Sequence, residues 1–285
     1  IAHTLSGRGA RVIMACRNLE KGDVARRRIE ESGPPVFPEV RKVDLGDLSS
    51  VKAFAEGIAG SFPAVDLLIN NAGLMAIPYH RTVDGFEMQF GVNHLGHFAL
   101  TARLLPLLRT SGEARVVNVS SAAHRLGRIR YEDIHWERRY RKWMAYGMSK
   151  LANLLFTLEL DRRFRTEEGN MIAVAAHPGY AATELQAKGA VMAGSGWRAG
   201  VFQLANRLAA QPALMGALPV LYAATAEGVE GGAYFGPGGW LRMRGYPAPD
   251  RPAGRLVTTE EAKKLWELSE SVNVMTVAEI LNNFL

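Results

Sequence analysis

The 285 residues are 48% hydrophobic and 22% charged, a globular mixture that argues against disorder and leaves enough apolar side chains for a sizeable core. The 34 basic and 28 acidic residues give a net charge of +6, an excess too spread out for nucleic acid but suited to a phosphorylated ligand or peripheral contact with an anionic membrane. Cys16 is the sole cysteine, which excludes an intrachain disulfide and fits a cytoplasmic setting; no apolar run is long enough to span a bilayer and no signal-type start is read.

Residues 1–6 read as the latter half of a helix closed by Gly7, Arg8 and Gly9. Apolar runs then alternate with amphipathic stretches: strand 11–15 and helix 19–30, strand 65–69 and helix 83–108, strand 115–119 and helix 143–164, then strand 171–176. This order predicts an α/β fold, a doubly wound, Rossmann-like parallel sheet in a single domain over 1–285. Asp66 and Arg115 stand at strand starts, whereas Arg17, Asn70, Asn71, Ser120, Ser121 and His177 fall just past strand ends, the edge where such sheets hold ligands.

Two regions break the alternation. Residues 126–142 form a basic, aromatic insertion with Arg128, Arg130, Trp136, Arg138, Arg139, Tyr140 and Arg141, and residues 180–211 form a glycine-broken apolar stretch read as a substrate loop. Gly231 to Gly239 reads as a short strand and turns. At the end, Thr276 and Glu279 form a capping box for a helix over 276–285 whose stripe of Val277, Ile280, Leu281 and Phe284 is expected to dock on the core.

Tyr146 and Lys150 lie one turn apart on a predicted helix face. A free tyrosine titrates near pH ~10; a fixed ammonium nearby is expected to lower that value until Tyr146 exchanges a proton with a substrate oxygen. Ser121, at the end of the preceding buried strand, offers a hydroxyl to position that oxygen, while Ser120 reads as turn chemistry.

Five motifs stand in order: Asn70, Asn71, Ala72 and Gly73 after a strand; Asn93, His94, Leu95, Gly96, His97 and Phe98 on a helix; Ser120 and Ser121 at a strand end; Tyr146 and Lys150; and His177, Pro178 and Gly179 after the next strand. Through about Tyr234 the chain resembles the short-chain dehydrogenase/reductase family. It is most similar to the retinol dehydrogenase-like branch in the wide gap between Ser121 and Tyr146 and in Ala15, Cys16, Arg17 and Asn18.

The resemblance implies an oxidoreductase interconverting an alcohol and a carbonyl on a small apolar substrate. Tyr146 would be the acid/base, Lys150 would lower its pKa and bind the nicotinamide ribose, Ser121 would orient the carbonyl, and Asn93 would anchor a water in a proton relay. Asn71, Ala72 and Gly73 would pack against the cofactor, Asp44 and Leu45 would meet the adenine, and Pro178, Gly179 and Thr183 would contact the nicotinamide side. A homo-oligomer is expected by analogy. No carboxylate follows the first strand; Arg17 stands there instead, and its planar fork of donors suits a 2′-phosphate. NADP is therefore expected, with NAD the alternative.

The family's glycine-rich phosphate turn is not found. Gly7, Arg8 and Gly9 end a helix before a strand, the reverse of the required order, so the chain is expected to lack the first strand and the turn that follows it, with further residues upstream of Ile1. A second reading is a cofactor-defective binding or scaffold protein, and a third is a peripheral membrane protein using the basic insertion and the terminal helix.

Overall fold

Helix starts are set by side chains that satisfy otherwise unpaired amides. Asn18 accepts the Lys21 N–H at 2.8 Å to open α2 (Leu19–Glu30), Asp47 accepts from Ser49 and Ser50 to open α3 (Leu48–Ala59), and Thr258 accepts from Glu261 to open α7 (Thr259–Val272). The computed structural model describes residues 1–166, 170–179 and 212–273. The expected substrate stretch 180–211, Thr183 within it, and the expected helix 276–285 lie outside the described residues.

After α1 (Ala2–Ser6) come β1 (Ile13–Cys16), α2, β2 (Glu39–Lys42), α3 and β3 (Leu67–Asn70). A short turn at Met88–Phe90 then passes through a π-helical turn, Gly91–Leu95, into α4 (Gly96–Ser111). Next are β4 (Arg115–Val119), a 3-10 turn at Ala122–Leu126, α5 (Lys142–Phe164), β5 (Ile172–Ala176), α6 (Ala213–Thr225), β6 (Tyr234–Pro237), β7 (Pro247–Pro249) and α7.

The expected doubly wound parallel sheet is present. Among the described residues β1 pairs with β2 in parallel, and β3, β4, β5 and β6 pair in parallel in a second ladder that β7 joins antiparallel at its edge. Pro247 and Pro249 hold β7 to an edge position, where a missing N–H breaks no interior ladder. Val116 and Ala173 face a core built from α3, α4, α5 and Trp266, whereas Val117, Val119, Val174 and Ala176 face Val220, Ala223 and Ala224 of α6 on the opposite side.

The helix expected from residue 83 starts later because Thr82 and Phe86 close a turn, with the Phe86 N–H donating to Thr82 Oγ1 at 3.1 Å, before Glu87 caps Met88–Phe90. The basic insertion is partly core: Ile129, Ile134 and Trp136 are buried with Phe90 and Leu265, Arg130 lies 4.3 Å over the Trp136 ring, and Arg138, Arg139 and Arg141 face solvent. It is joined to α5 at the closest possible range. A Cβ on Gly127 would come 2.3 Å from the Gly147 carbonyl oxygen, so only glycine allows the two backbones to touch there. Among the described residues no helix is long and apolar enough to cross a membrane.

Candidate active site

β1, β3, β4 and β5 each deliver their carboxyl end to a polar residue: Arg17, Asn70, Ser120 and His177. Asn70 at the end of β3 is buried, and its Nδ2 donates to Thr101 Oγ1 (3.0 Å) and Asn118 Oδ1 (2.8 Å); Asn118 Nδ2 donates in turn to Thr157 Oγ1 on α5 (3.0 Å). This relay of amides locks β3, β4 and α5 in register. Beyond it, Asn71 and Ala72 are exposed and Gly73 turns back toward the catalytic helix. A Cβ on Gly73 would lie 3.1 Å from Asn93 Oδ1 and 3.4 Å from Lys150 Nζ, so the backbone there abuts both groups.

Ser121, two residues past β4, caps the following 3-10 turn, its Oγ accepting the Ala123 N–H at 3.2 Å, and the same hydroxyl faces the Tyr146 phenol. Ser120, read from sequence as turn chemistry, is buried and donates to the Lys150 carbonyl at 2.7 Å, tying the strand end to α5. Lys150 is 4% exposed; its Nζ donates to the Val119 carbonyl at 2.9 Å and lies 6.0 Å from the Tyr146 ring centroid.

Burial lowers Lys150 to about 8 from its ordinary 10.5. Tyr146 moves the other way from the expected lowering: burial pushes the phenol above its usual value, with the Ser121 hydroxyl as the opposing influence. The reason is geometric, because the ammonium is aimed at a strand carbonyl and the phenol sits in apolar surroundings at 5% exposure.

Asn93 sits in the middle of the π-helical turn, an irregularity that recurs at functional sites. Its side chain is fully engaged: Oδ1 accepts the Leu74 N–H at 2.7 Å, and Nδ2 donates to the Leu74 carbonyl and to Ser149 Oγ, both at 2.9 Å. Ser149 Oγ donates to the Tyr146 carbonyl at 2.8 Å, completing a path from Asn93 to the turn carrying Tyr146. The Asn93 carbonyl receives the Nδ1–H of His97 at 3.0 Å. Burial, reinforced by the nearby Lys150 charge, takes His97 down to about 4, so it is neutral near pH 7.

The remaining expected residues divide. Arg17 is exposed just past β1 and, among the described residues, engages no acceptor, leaving its guanidinium available. Asp44 turns its carboxylate onto its own loop, with Oδ1 accepting the Gly46 N–H at 2.9 Å. Leu45 is 8% exposed and its side chain packs in the core beside Gly96, because α4 crosses so closely that a Cβ on Gly96 would sit 2.3 Å from the Leu45 oxygen. Gly179 adopts φ +64 in the turn after β5, a conformation natural to glycine, and its N–H donates to His177 Nδ1 at 3.2 Å. Trp143, missed from sequence, is 48% exposed on the first turn of α5, with its ring edge-on to Tyr146 at 6.3 Å.

A family model described as short chain dehydrogenase matches residues 1–192. The chain is 42% identical over 270 residues to human retinol dehydrogenase 12, covering 94% of this chain and 80% of that protein. Human retinol dehydrogenase 11 is 43% identical over 229 residues, covering 80% and 69%. Among solved structures, a Mycobacterium paratuberculosis protein superposes with a TM-score of 0.77 at 42% identity over 97% of this chain and 88% of its own. A Pseudomonas aeruginosa RhlG/NADP active-site complex, at 24% identity and a TM-score of 0.61 over 82% of this chain and 87% of that one, shares the fold. The chain therefore belongs to the short-chain dehydrogenase/reductase family, in its retinol dehydrogenase-like branch, and is an oxidoreductase of the kind that acts on CH–OH groups.

Proposed function

We propose that this protein interconverts an apolar alcohol and its aldehyde or ketone with NADP(H), using Tyr146 as the acid/base. The observation that carries the reading is the convergence of Ser121, Tyr146, Lys150 and Asn93 at the carboxyl edge of β3 and β4, in one hydrogen-bonded and largely buried group. A scaffold that had abandoned catalysis has no physical need to hold these side chains together.

The residues fit a dinucleotide. Gly73 brings its backbone against the Lys150 ammonium and the Asn93 amide, Pro178 and Gly179 form a turn on the same edge, and Arg17 projects, with no acceptor among the described residues, where a 2′-phosphate would be read. The nicotinamide, when bound, supplies the hydride chemistry. Ser121 donates to the substrate oxygen and holds it beside Tyr146. A phenol held protonated by burial is matched to giving a proton to the oxygen of a carbonyl undergoing reduction. Lys150, charged below pH about 8, stabilises the phenolate that remains. Trp143 offers an exposed apolar face beside Tyr146, which supports an apolar substrate, and the named relatives are dehydrogenases of one such alcohol, retinol.

The test is NADPH oxidation by the purified chain with retinaldehyde as the carbonyl probe. Tyr146→Phe is expected to lower turnover by about 10³-fold while leaving the circular dichroism spectrum unchanged. Turnover surviving in that variant would refute the assignment.

A further inference from the structure

Behind Ser121 and Tyr146 lies a second buried polar group, His124, His177, Tyr234 and Asp250, that the acid/base chemistry above does not use. The partners of each imidazole define its tautomer. Because the Gly179 N–H donates to His177 Nδ1 at 3.2 Å, that nitrogen carries no proton; the proton is on Nε2, which donates to Asp250 Oδ2 at 2.8 Å. Because the Ala253 N–H donates to His124 Nε2 at 3.2 Å, the proton there is on Nδ1, which donates to the Ser121 carbonyl at 2.7 Å.

Two strand ends that flank the reaction site are thus fastened to one short segment after β7. Ser121 is held through His124 to Ala253, and Gly179 is held through His177 to Asp250. Both imidazoles pack on Tyr234, with ring centroids 5.8 and 5.3 Å away, and neither is more than 1% exposed. There is no slack at His177, since a Cβ on Gly236 would come 1.9 Å from its Nε2. Burial opposes the Asp250 charge, yet the His177 and Arg251 N–H donors, with Arg242 at 3.7 Å, hold its carboxyl below the ordinary value.

We propose that Asp250 is a positioning residue of this oxidoreductase: it fixes His177 as the Nε2–H tautomer, so that Nδ1 stays free to receive the Gly179 amide and the Pro178–Gly179 turn is set for the dinucleotide. This rests on the reading above, in which that turn faces the cofactor. With a leucine at 250, His177 has no acceptor for Nε2–H and is free to take the other tautomer, whose Nδ1–H opposes the Gly179 N–H.

The experiment compares wild type, Asp250→Asn and Asp250→Leu by NADPH fluorescence titration and by steady-state reduction of retinaldehyde. Asp250→Leu is expected to raise the Kd and KM for NADPH about tenfold or more while the retinaldehyde KM stays within about twofold. Asp250→Asn, which keeps an acceptor, should restore NADPH binding to near wild type. In parallel, the imidazole ¹⁵N shifts of wild type should show His177 protonated at Nε2, a result that needs no variant to fold. A leucine variant with wild-type NADPH affinity, an asparagine variant as impaired as the leucine one, or a His177 protonated at Nδ1 would each overturn the proposal alone. Wild type binding neither NADPH nor NADH would instead overturn the oxidoreductase reading on which it rests.

Discussion

Replacing Lys150 with methionine removes a buried ammonium while keeping an unbranched side chain of similar volume. The drop from 10.5 to about 8 means the folded protein disfavours the charged lysine by about 3 kcal/mol at neutral pH, taking about 1.4 kcal/mol for each pH unit. The methionine loses the hydrogen bond to the Val119 carbonyl, but Asn153 Nδ2 still donates to that oxygen at 3.0 Å, so the loss offsets only about 1 kcal/mol. Lys150→Met should therefore be more stable by about 2 kcal/mol near pH 7 and melt about 5 °C higher, while losing turnover. The gap has a required pH dependence. Between about 8 and 10.5 the unfolded lysine binds more protons than the folded one, so wild-type stability climbs with pH through that window and the variant's does not. Urea unfolding followed by tryptophan fluorescence should show the full gap at pH about 7 and little of it at about 9.5. A variant less stable than wild type at neutral pH, or a gap that ignores pH, would refute the reasoning.

The same lysine sets a limb in the rate profile: kcat/KM for carbonyl reduction should fall as pH rises through about 8, where the charge that stabilises the Tyr146 phenolate is lost, and Lys150→Arg should carry that limb upward. A profile flat to pH about 10 would exclude the role. Arg17→Ala should weaken NADPH by about tenfold or more and leave NADH within about twofold, read by fluorescence titration; equal losses would show that Arg17 does not read a phosphate. Gly96→Ala places a methyl 2.3 Å from the Leu45 oxygen, where only backbone can yield, and should cost about 3 kcal/mol; melting within about 2 °C of wild type would contradict that contact.

What could be read from sequence follows how local the signal is. α2 and β4 run Leu19–Glu30 and Arg115–Val119, the bounds expected, because a capping Asn18 and the run of Val116, Val117 and Val119 announce them. β2, with charges at Glu39, Arg41 and Lys42, carries no such run. Tyr146, Lys150, Ser121 and Asn93 were identifiable as types at spacings, and the fold does bring them together. The direction of the Tyr146 shift was not legible, because residue type says nothing of whether an ammonium points at a phenol or at a carbonyl. His177 and Asp250 stand 73 positions apart, and no local pattern couples them. Ser149, whose hydroxyl links Asn93 to the Tyr146 carbonyl, carries no sequence signal of that role.

The contact of Gly127 with Gly147 sets the terms on which this enzyme can be diversified. The insertion and α5 meet backbone to backbone, one residue beyond Tyr146, so the two cannot be varied independently. Grafting residues 126–142 from a relative would transplant a constraint along with a surface. A donor lacking glycine at either crossing point would push on the helix that carries Tyr146. Changes confined to Arg138, Arg139, Arg141 and Trp143, which are exposed, avoid that coupling.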